Sequence, residues 1–116
     1  MAFAEDYRQF ISDYKTAREV SYGAVKLAES HGYQRLENLV EKGTKLKPDD
    51  KVYSQIQDRY TIMAVIGKKP MDKYGLNILG AHVDSPRIDI KQNPIYQSDG
   101  VAMFETHFYG GISLYQ

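Results

Sequence analysis

The first thirty residues carry apolar side chains at spacings of three and four, the pattern of two amphipathic helices. This spacing predicts a first helix over residues 4–15. Thr16 and Glu19 then form a capping-box sequence, in which each side chain bonds the other's backbone, so Thr16 should open a second helix. That helix should end at His31-Gly32, because glycine readily adopts the left-handed backbone conformation that ends a helix. Its predicted apolar face consists of Val20, Ala24, Leu27 and Ala28.

From Lys51 onward the pattern changes to that of strands. Residues 51–56 alternate, and residues 61–66 form a continuous apolar run, typical of a strand covered on both faces. Residues 77–81 predict a second buried strand that leads directly into His82. The stretch 33–50 is polar and contains glycine and proline, which predicts a turn-rich connection.

A third group of elements follows Pro86. Residues 87–91 and 101–109 alternate cleanly, and each segment predicts a half-exposed strand. Residues 92–100 lie between them and contain Asn93-Pro94 and Asp99-Gly100, which predict a long turn region. Helices first and strands afterwards favour a layered α/β or α+β domain.

Composition narrows the class of protein. The chain has 116 residues, of which 42% are hydrophobic and 26% charged, as in soluble globular domains. Fifteen basic residues balance fifteen acidic ones, so no charge excess points to a nucleic-acid or membrane partner. The chain contains no cysteine, so a metal site here must use His, Asp or Glu. Neither a signal peptide nor a membrane-length apolar run is present, and we expect a cytoplasmic protein.

The most informative chemistry lies in His82 and Asp84, at the end of the second predicted buried strand. Side chains two residues apart on an extended backbone point to the same side of a sheet. A metal-bound imidazole normally donates its other N–H to a carboxylate or a carbonyl. The pair therefore fits a metal ligand with its orienting carboxylate. It equally fits a buried structural histidine beside an aspartate that caps the Ser85-Pro86 turn.

Other candidate residues have simpler explanations. His31 stands where a cation would stabilise the C-terminus of a helix. Glu105 and His107 share a strand face and can in principle bind a metal, but such pairs are more often solvated cross-strand contacts. No phosphate-binding glycine motif and no Gly-x-Ser-x-Gly motif occurs, so nucleotide binding and serine catalysis have no support.

Several motifs together resemble the M18 family of metalloaminopeptidases. They are Lys15-Thr16-Ala17, the segment 32–36, Leu46-Lys47-Pro48, the segment 81–86 with its alternating strand, and Tyr109-Gly110-Gly111. They occur in the family's order and extend over nearly the whole chain. Val83 stands where threonine is frequent, and Ile112 replaces a third glycine.

The resemblance implies a cytoplasmic exopeptidase that removes N-terminal residues from peptides and uses two metal ions, usually Zn²⁺, with Co²⁺ or Mn²⁺ as other candidates. It implies His82 as a metal ligand and Asp84 as the catalytic residue that orients it. It also implies an α/β fold of the phosphorylase/hydrolase-like metallopeptidase type, with N-terminal helices followed by strands of a mixed central sheet. The family assembles as a homo-oligomer, a dodecamer.

The resemblance further implies that the chain is incomplete. Residues 1–91 would form the first part of the catalytic domain, and residues 92–116 the start of an inserted dimerisation domain. The remaining ligands and the general base would lie beyond residue 116, so the 116 residues alone should be inactive. The alternative is a non-enzymatic fragment or subunit with a structural His82 and a sheet that binds a partner.

Overall fold

The computed structural model describes residues 2–111, which form two compact units, one up to Val83 and one from Asp84 onward. The helices are α1 (Ala2–Asp13), α2 (Ala17–Ser30), α3 (Leu36–Glu41) and α4 (Met71–Tyr74). The strands are β1 (Gln34–Arg35), β2 (Lys51–Ile56), β3 (Tyr60–Val65), β4 (Arg87–Ser98) and β5 (Val101–Tyr109). The predicted α/β class, with helices followed by strands, is confirmed.

The capping box predicted for α2 is present in full. The Glu19 amide donates to Thr16 Oγ1 at 3.3 Å, and the Thr16 amide donates to Glu19 Oε2 at 2.9 Å. The helix closes at His31, and Gly32 follows with a φ of +82°. α1 runs over Ala2–Asp13, two residues earlier than predicted.

The stretch predicted as a turn-rich connection contains two elements, β1 and α3. α3 has only six residues, too few to show a helical period in the sequence. It is held by a tertiary contact, because Ser54 of β2 donates a hydrogen bond to the Glu37 carboxylate. The turn-rich connection predicted over 33–50 therefore also contains two short elements that its sequence did not indicate.

The first unit is built on a mixed three-stranded sheet of order β1-β2-β3, parallel between β1 and β2 and antiparallel between β2 and β3. α2 packs against it, and the Ser21 and Thr61 hydroxyls share a hydrogen bond of 2.8 Å between helix and sheet. The buried residues of this unit are Ser21, Gly23, Ala28, Val52 and Tyr53. Of the apolar face predicted for α2, Ala28 is buried, whereas Leu27 is exposed.

β3 differs from its prediction. It is an edge strand of the three-stranded sheet, and Ile62 is 58% exposed within the part of the chain that the structure describes. Its apolar run is therefore not covered on both faces there. Apolar composition predicted burial, but burial depends on neighbours that composition does not specify.

The second unit is an antiparallel hairpin of β4 and β5. β4 continues to Ser98 through most of the segment predicted as a long turn, with an irregularity in pairing between Ile90 and Ile95 that accommodates Asn93-Pro94. The turn itself is only Asp99-Gly100, with φ of +50° and +78°, as two-residue hairpin turns require. None of the helices found between residues 2 and 111 is long and apolar enough to cross a membrane. Residues 112–116, including the Ile112 that replaces a third glycine, lie outside the described residues.

Candidate functional site

His82 lies in an irregular segment, residues 75–86, between α4 and β4. The prediction that residues 77–81 form a buried strand was wrong. A strand needs a hydrogen-bonded neighbour, and this segment pairs with none of the five described strands, while Leu79 is 99% exposed. His82 is exposed and is therefore carried by an irregular segment rather than by a strand end.

Asp84 opens the second unit and is half-buried. Its Oδ2 atom accepts a hydrogen bond of 3.0 Å from the Tyr109 hydroxyl. Tyr109 is the last residue of β5, twenty-five positions later in the chain. The fold thus brings the Asp84-Ser85-Pro86 segment against the Tyr109-Gly110 segment, two motifs that are remote in sequence.

A glycine makes this approach feasible. Gly110 has a φ of +87°, and a Cβ atom there would lie 3.4 Å from Pro86 Cα. Positive φ is strained for residues with a side chain, and the space towards Pro86 is tight. Gly110 therefore serves both the turn that ends β5 and the contact with Pro86.

Tyr109 is itself held by the neighbouring strand. Arg87 pairs with Tyr109 across the hairpin, and its guanidinium carbon lies 4.0 Å from the centroid of the tyrosine ring. Arg87 Nε donates to Asp89 Oδ1 at 2.9 Å. The side chains of Arg87 and Asp89 are 35% and 32% exposed. This cation–π contact and ion pair restrict the ring whose hydroxyl reaches Asp84.

The second candidate pair, Glu105 and His107, has cross-strand partners. Glu105 forms an ion pair with Lys91 of the opposite strand, and His107 pairs with Asp89. A shallow groove of about 440 Å³ runs beside them. It is lined by Lys91, Gln92, Asn93, Glu105 and His107. The Lys91 partner agrees with the interpretation of Glu105 as part of a cross-strand contact.

His31 has the structural position predicted for it. It caps α2, and its Nδ1 atom lies 2.8 Å from the carbonyl oxygen of Leu27. A carbonyl only accepts, so Nδ1 donates this hydrogen bond.

The number of side chains that could bind a metal decides whether these residues hold a complete metal site. An imidazole such as that of His82 suits zinc, but a catalytic zinc takes three protein ligands. Among residues 2–111, no three His, Cys, Asp or Glu side chains come together in a way that could hold a metal ion. The described residues alone therefore do not supply the ligands of a catalytic zinc.

Tyr109 belongs to the Tyr109-Gly110-Gly111 motif of the sequence, but that motif alone does not indicate its contact with Asp84. The contact could have been inferred from the register of the two strands in the hairpin. Pairing the two alternating segments around Asp99-Gly100 places the end of the second strand opposite Arg87, and hence near Asp84.

Comparison with known proteins gives a consistent family. Residues 10–116 match the model of the family described as aminopeptidase I zinc metalloprotease (M18). A protein of Clostridium acetobutylicum named as a probable M18 family aminopeptidase 1 is 48% identical over 115 residues, which is 99% of this chain and 24% of that relative. The chain therefore spans about a quarter of the length of the curated relatives that it matches.

Solved structures agree with the sequence match. The crystal structure of aminopeptidase I from Borrelia burgdorferi B31 matches with a TM-score of 0.74 and 36% identity, over 96% of this chain and 26% of that one. The crystal structure of aminopeptidase I from Clostridium acetobutylicum matches with a TM-score of 0.65 and 44% identity, over 93% of this chain and 24% of that one.

Proposed function

Because the chain belongs to the aminopeptidase I zinc metalloprotease family (M18), we propose that it is the N-terminal part of a zinc-dependent aminopeptidase that removes N-terminal residues from peptides. The observation that carries this proposal is the family match over residues 10–116, which includes His82, Asp84 and Tyr109. Near-complete coverage of the chain by relatives with 48% and 37% identity supports it.

His82 is proposed as a ligand of one of two zinc ions, and Asp84 as the carboxylate that accepts from its imidazole. A neutral imidazole is a common zinc ligand, and a carboxylate partner fixes its tautomer and raises its basicity. Zinc held there would polarise the scissile carbonyl and lower the pKa of a bound water. The remaining acidic and histidine ligands and the general base are proposed to lie outside residues 1–116.

The larger organisation follows from the same proposal. Residues 1–91 would open a phosphorylase/hydrolase-like catalytic domain, and residues 92–116 would begin an inserted dimerisation domain. The complete protein would be a cytoplasmic homo-dodecamer that acts on peptides and has neither nucleic acid nor membrane as a partner. The balance of fifteen basic and fifteen acidic residues agrees with the last point.

The test uses the full-length protein that contains this chain, purified with zinc. We expect hydrolysis of peptides with a free N-terminus and none of the same peptides after N-acetylation. We expect His82→Ala to abolish turnover and to lower the zinc content measured by atomic absorption. His107→Ala is the matched control, since this exposed histidine is also in the second half of the chain and should retain both properties.

The outcomes separate the proposals. A His82→Ala variant with normal activity and zinc content would give His82 a structural role. A wild-type protein that neither binds zinc nor cleaves peptides would refute the aminopeptidase proposal itself and favour a non-enzymatic, partner-binding role.

A further inference from the structure

One contact in the second unit has no role in the proposal above: the hydrogen bond of 3.0 Å from the Tyr109 hydroxyl to Asp84 Oδ2. We propose that Tyr109 is a positioning residue, which fixes the Asp84 carboxylate in the orientation that supports the His82 imidazole. This inference rests on the proposed function, because it assigns Asp84 the role of imidazole partner.

The hydroxyl is not required to form the hairpin. β4 and β5 are joined by backbone pairing along their length, from Arg87 opposite Tyr109 to Ser98 opposite Val101. A phenylalanine at position 109 would keep that pairing and the ring contact with Arg87. The Tyr109 hydroxyl is therefore not needed for the hairpin, and it donates its hydrogen bond to Asp84, the carboxylate of the His-x-Asp motif.

The chemistry of a phenol suits this task. A carboxylate has about four acceptor sites, so Asp84 can accept from Tyr109 and from an imidazole N–H at the same time. A neutral donor orients the carboxylate without neutralising its charge, whereas an arginine in an ion pair would offset it. The Nε atom of the neighbouring Arg87 donates to Asp89.

Other residues hold the Tyr109 ring in place, and this fixes the position of its hydroxyl beside Asp84. The Arg87 guanidinium lies over one face of it, at 4.0 Å from the centroid, and Asp89 holds the guanidinium. Gly110 allows the end of β5 to lie close to Pro86, on the segment that carries Asp84. A chain of contacts thus runs from Asp89 through Arg87 and Tyr109 to Asp84.

The experiment is a double-mutant cycle in the full-length protein with Tyr109→Phe, Asp84→Asn and the combined variant. Zinc affinity, measured by competition with a chelator, and kcat and KM are determined for each. Loss of a hydrogen-bond partner behind a metal ligand typically lowers affinity or activity by 10–100-fold. For Tyr109→Phe we expect a loss of about ten-fold in kcat and in zinc affinity, at the lower end of that range, with KM unchanged.

The decisive result is coupling. In the Asp84→Asn background, Tyr109→Phe should cause no further loss, because the hydroxyl acts only through that carboxylate. Tyr96→Phe is the matched control, since Tyr96 is on the same hairpin but pairs with Met103 near the turn, and it should leave kcat and zinc affinity unchanged.

Two failures are distinguishable. If the wild-type protein binds zinc and cleaves peptides while Tyr109→Phe matches it, or if the two changes add independently, the positioning role is overturned and the aminopeptidase proposal stands. If the wild-type protein shows neither zinc binding nor cleavage, both proposals fall together.

Discussion

Single residues at the start of α2 show how a charge can stabilise a helix without being buried. Glu19 accepts from the backbone amides of Lys15 and Thr16, and Thr16 accepts from the Glu19 amide. The hydrogen bond from the Lys15 amide, followed by that from Thr16, lowers the pKa of the Glu19 carboxyl below its ordinary value of 4.5. The ionised form is therefore the one that caps the helix.

This hydrogen bonding predicts that the stability of the first turn of α2 depends on pH. A carboxyl whose pKa is lower in the folded state than in the unfolded state stabilises the fold. This stabilisation is complete at pH values above the unfolded-state pKa and is lost as the pH falls through the folded-state pKa. We expect hydrogen exchange at the first turn of α2 to be faster in Glu19→Gln than in wild type at pH 7, and the difference to vanish at acidic pH. Glu41→Gln, an exposed change in α3, should have no such effect; a difference that persists in acid would contradict the role of ionised Glu19.

A second prediction at this scale concerns Gly110. Gly110→Ala places a Cβ atom at a φ of +87° and beside Pro86, which should destabilise the fold by about 1–2 kcal/mol. Gly111→Ala is the control, because its Cβ would meet nothing within 4 Å. Thermal denaturation of the two variants gives the comparison, and equal melting temperatures would contradict the requirement for glycine at position 110.

Pairs of elements are joined by few but specific polar contacts. Tyr53 of β2 is only 3% exposed, and its hydroxyl donates to Glu29 Oε1 of α2 at 2.6 Å. This hydrogen bond, with burial as a second cause, raises the pKa of the Tyr53 phenol above its ordinary value of 10.0. The contact joins helix and sheet at the buried side of the first unit.

Removal of this hydroxyl should loosen α2 on the sheet. A hydrogen bond to a charged group contributes about 1.5–3 kcal/mol, so we expect Tyr53→Phe to increase hydrogen exchange in both α2 and β2. The stabilisation should be complete below pH 10.0 and decrease as the pH rises through the raised folded-state pKa. Tyr60→Phe, at an exposed position of β3, is the control, and equal exchange in the two variants would refute the assignment.

At the scale of the whole molecule, the described residues expose many large apolar side chains, including most of those on β3, β4 and β5. Large exposed apolar surfaces normally mark interfaces. The proposed membership of a larger catalytic domain would give these surfaces partners. Among residues 2–111, no three candidate ligands come together to hold a zinc ion.

The 116 residues alone should therefore bind zinc weakly and be inactive, because a catalytic zinc requires three protein ligands. Peptidase assays of this segment with added Zn²⁺ or Co²⁺, beside the full-length protein under identical conditions, test this. Clear turnover by the segment would show that further ligands are not needed.

The local elements followed from the sequence because their causes are local. The capping box, the glycine that follows α2 and the Asp99-Gly100 turn depend on residues within a few positions of one another. Alternation over 101–109 likewise predicted β5. The motif order also sufficed to identify the family, since it needs residue types and not their contacts.

Tertiary structure decided what depends on distant neighbours. Residues 77–81 have the composition of a buried strand, yet pair with no described strand. α3 forms within the stretch whose sequence predicted a turn-rich connection. The Tyr109–Asp84 contact joins positions twenty-five residues apart, and only the register of β4 and β5 brings them together. Pairing and burial are properties of the assembled chain, so a linear pattern predicts the strand but not its partner.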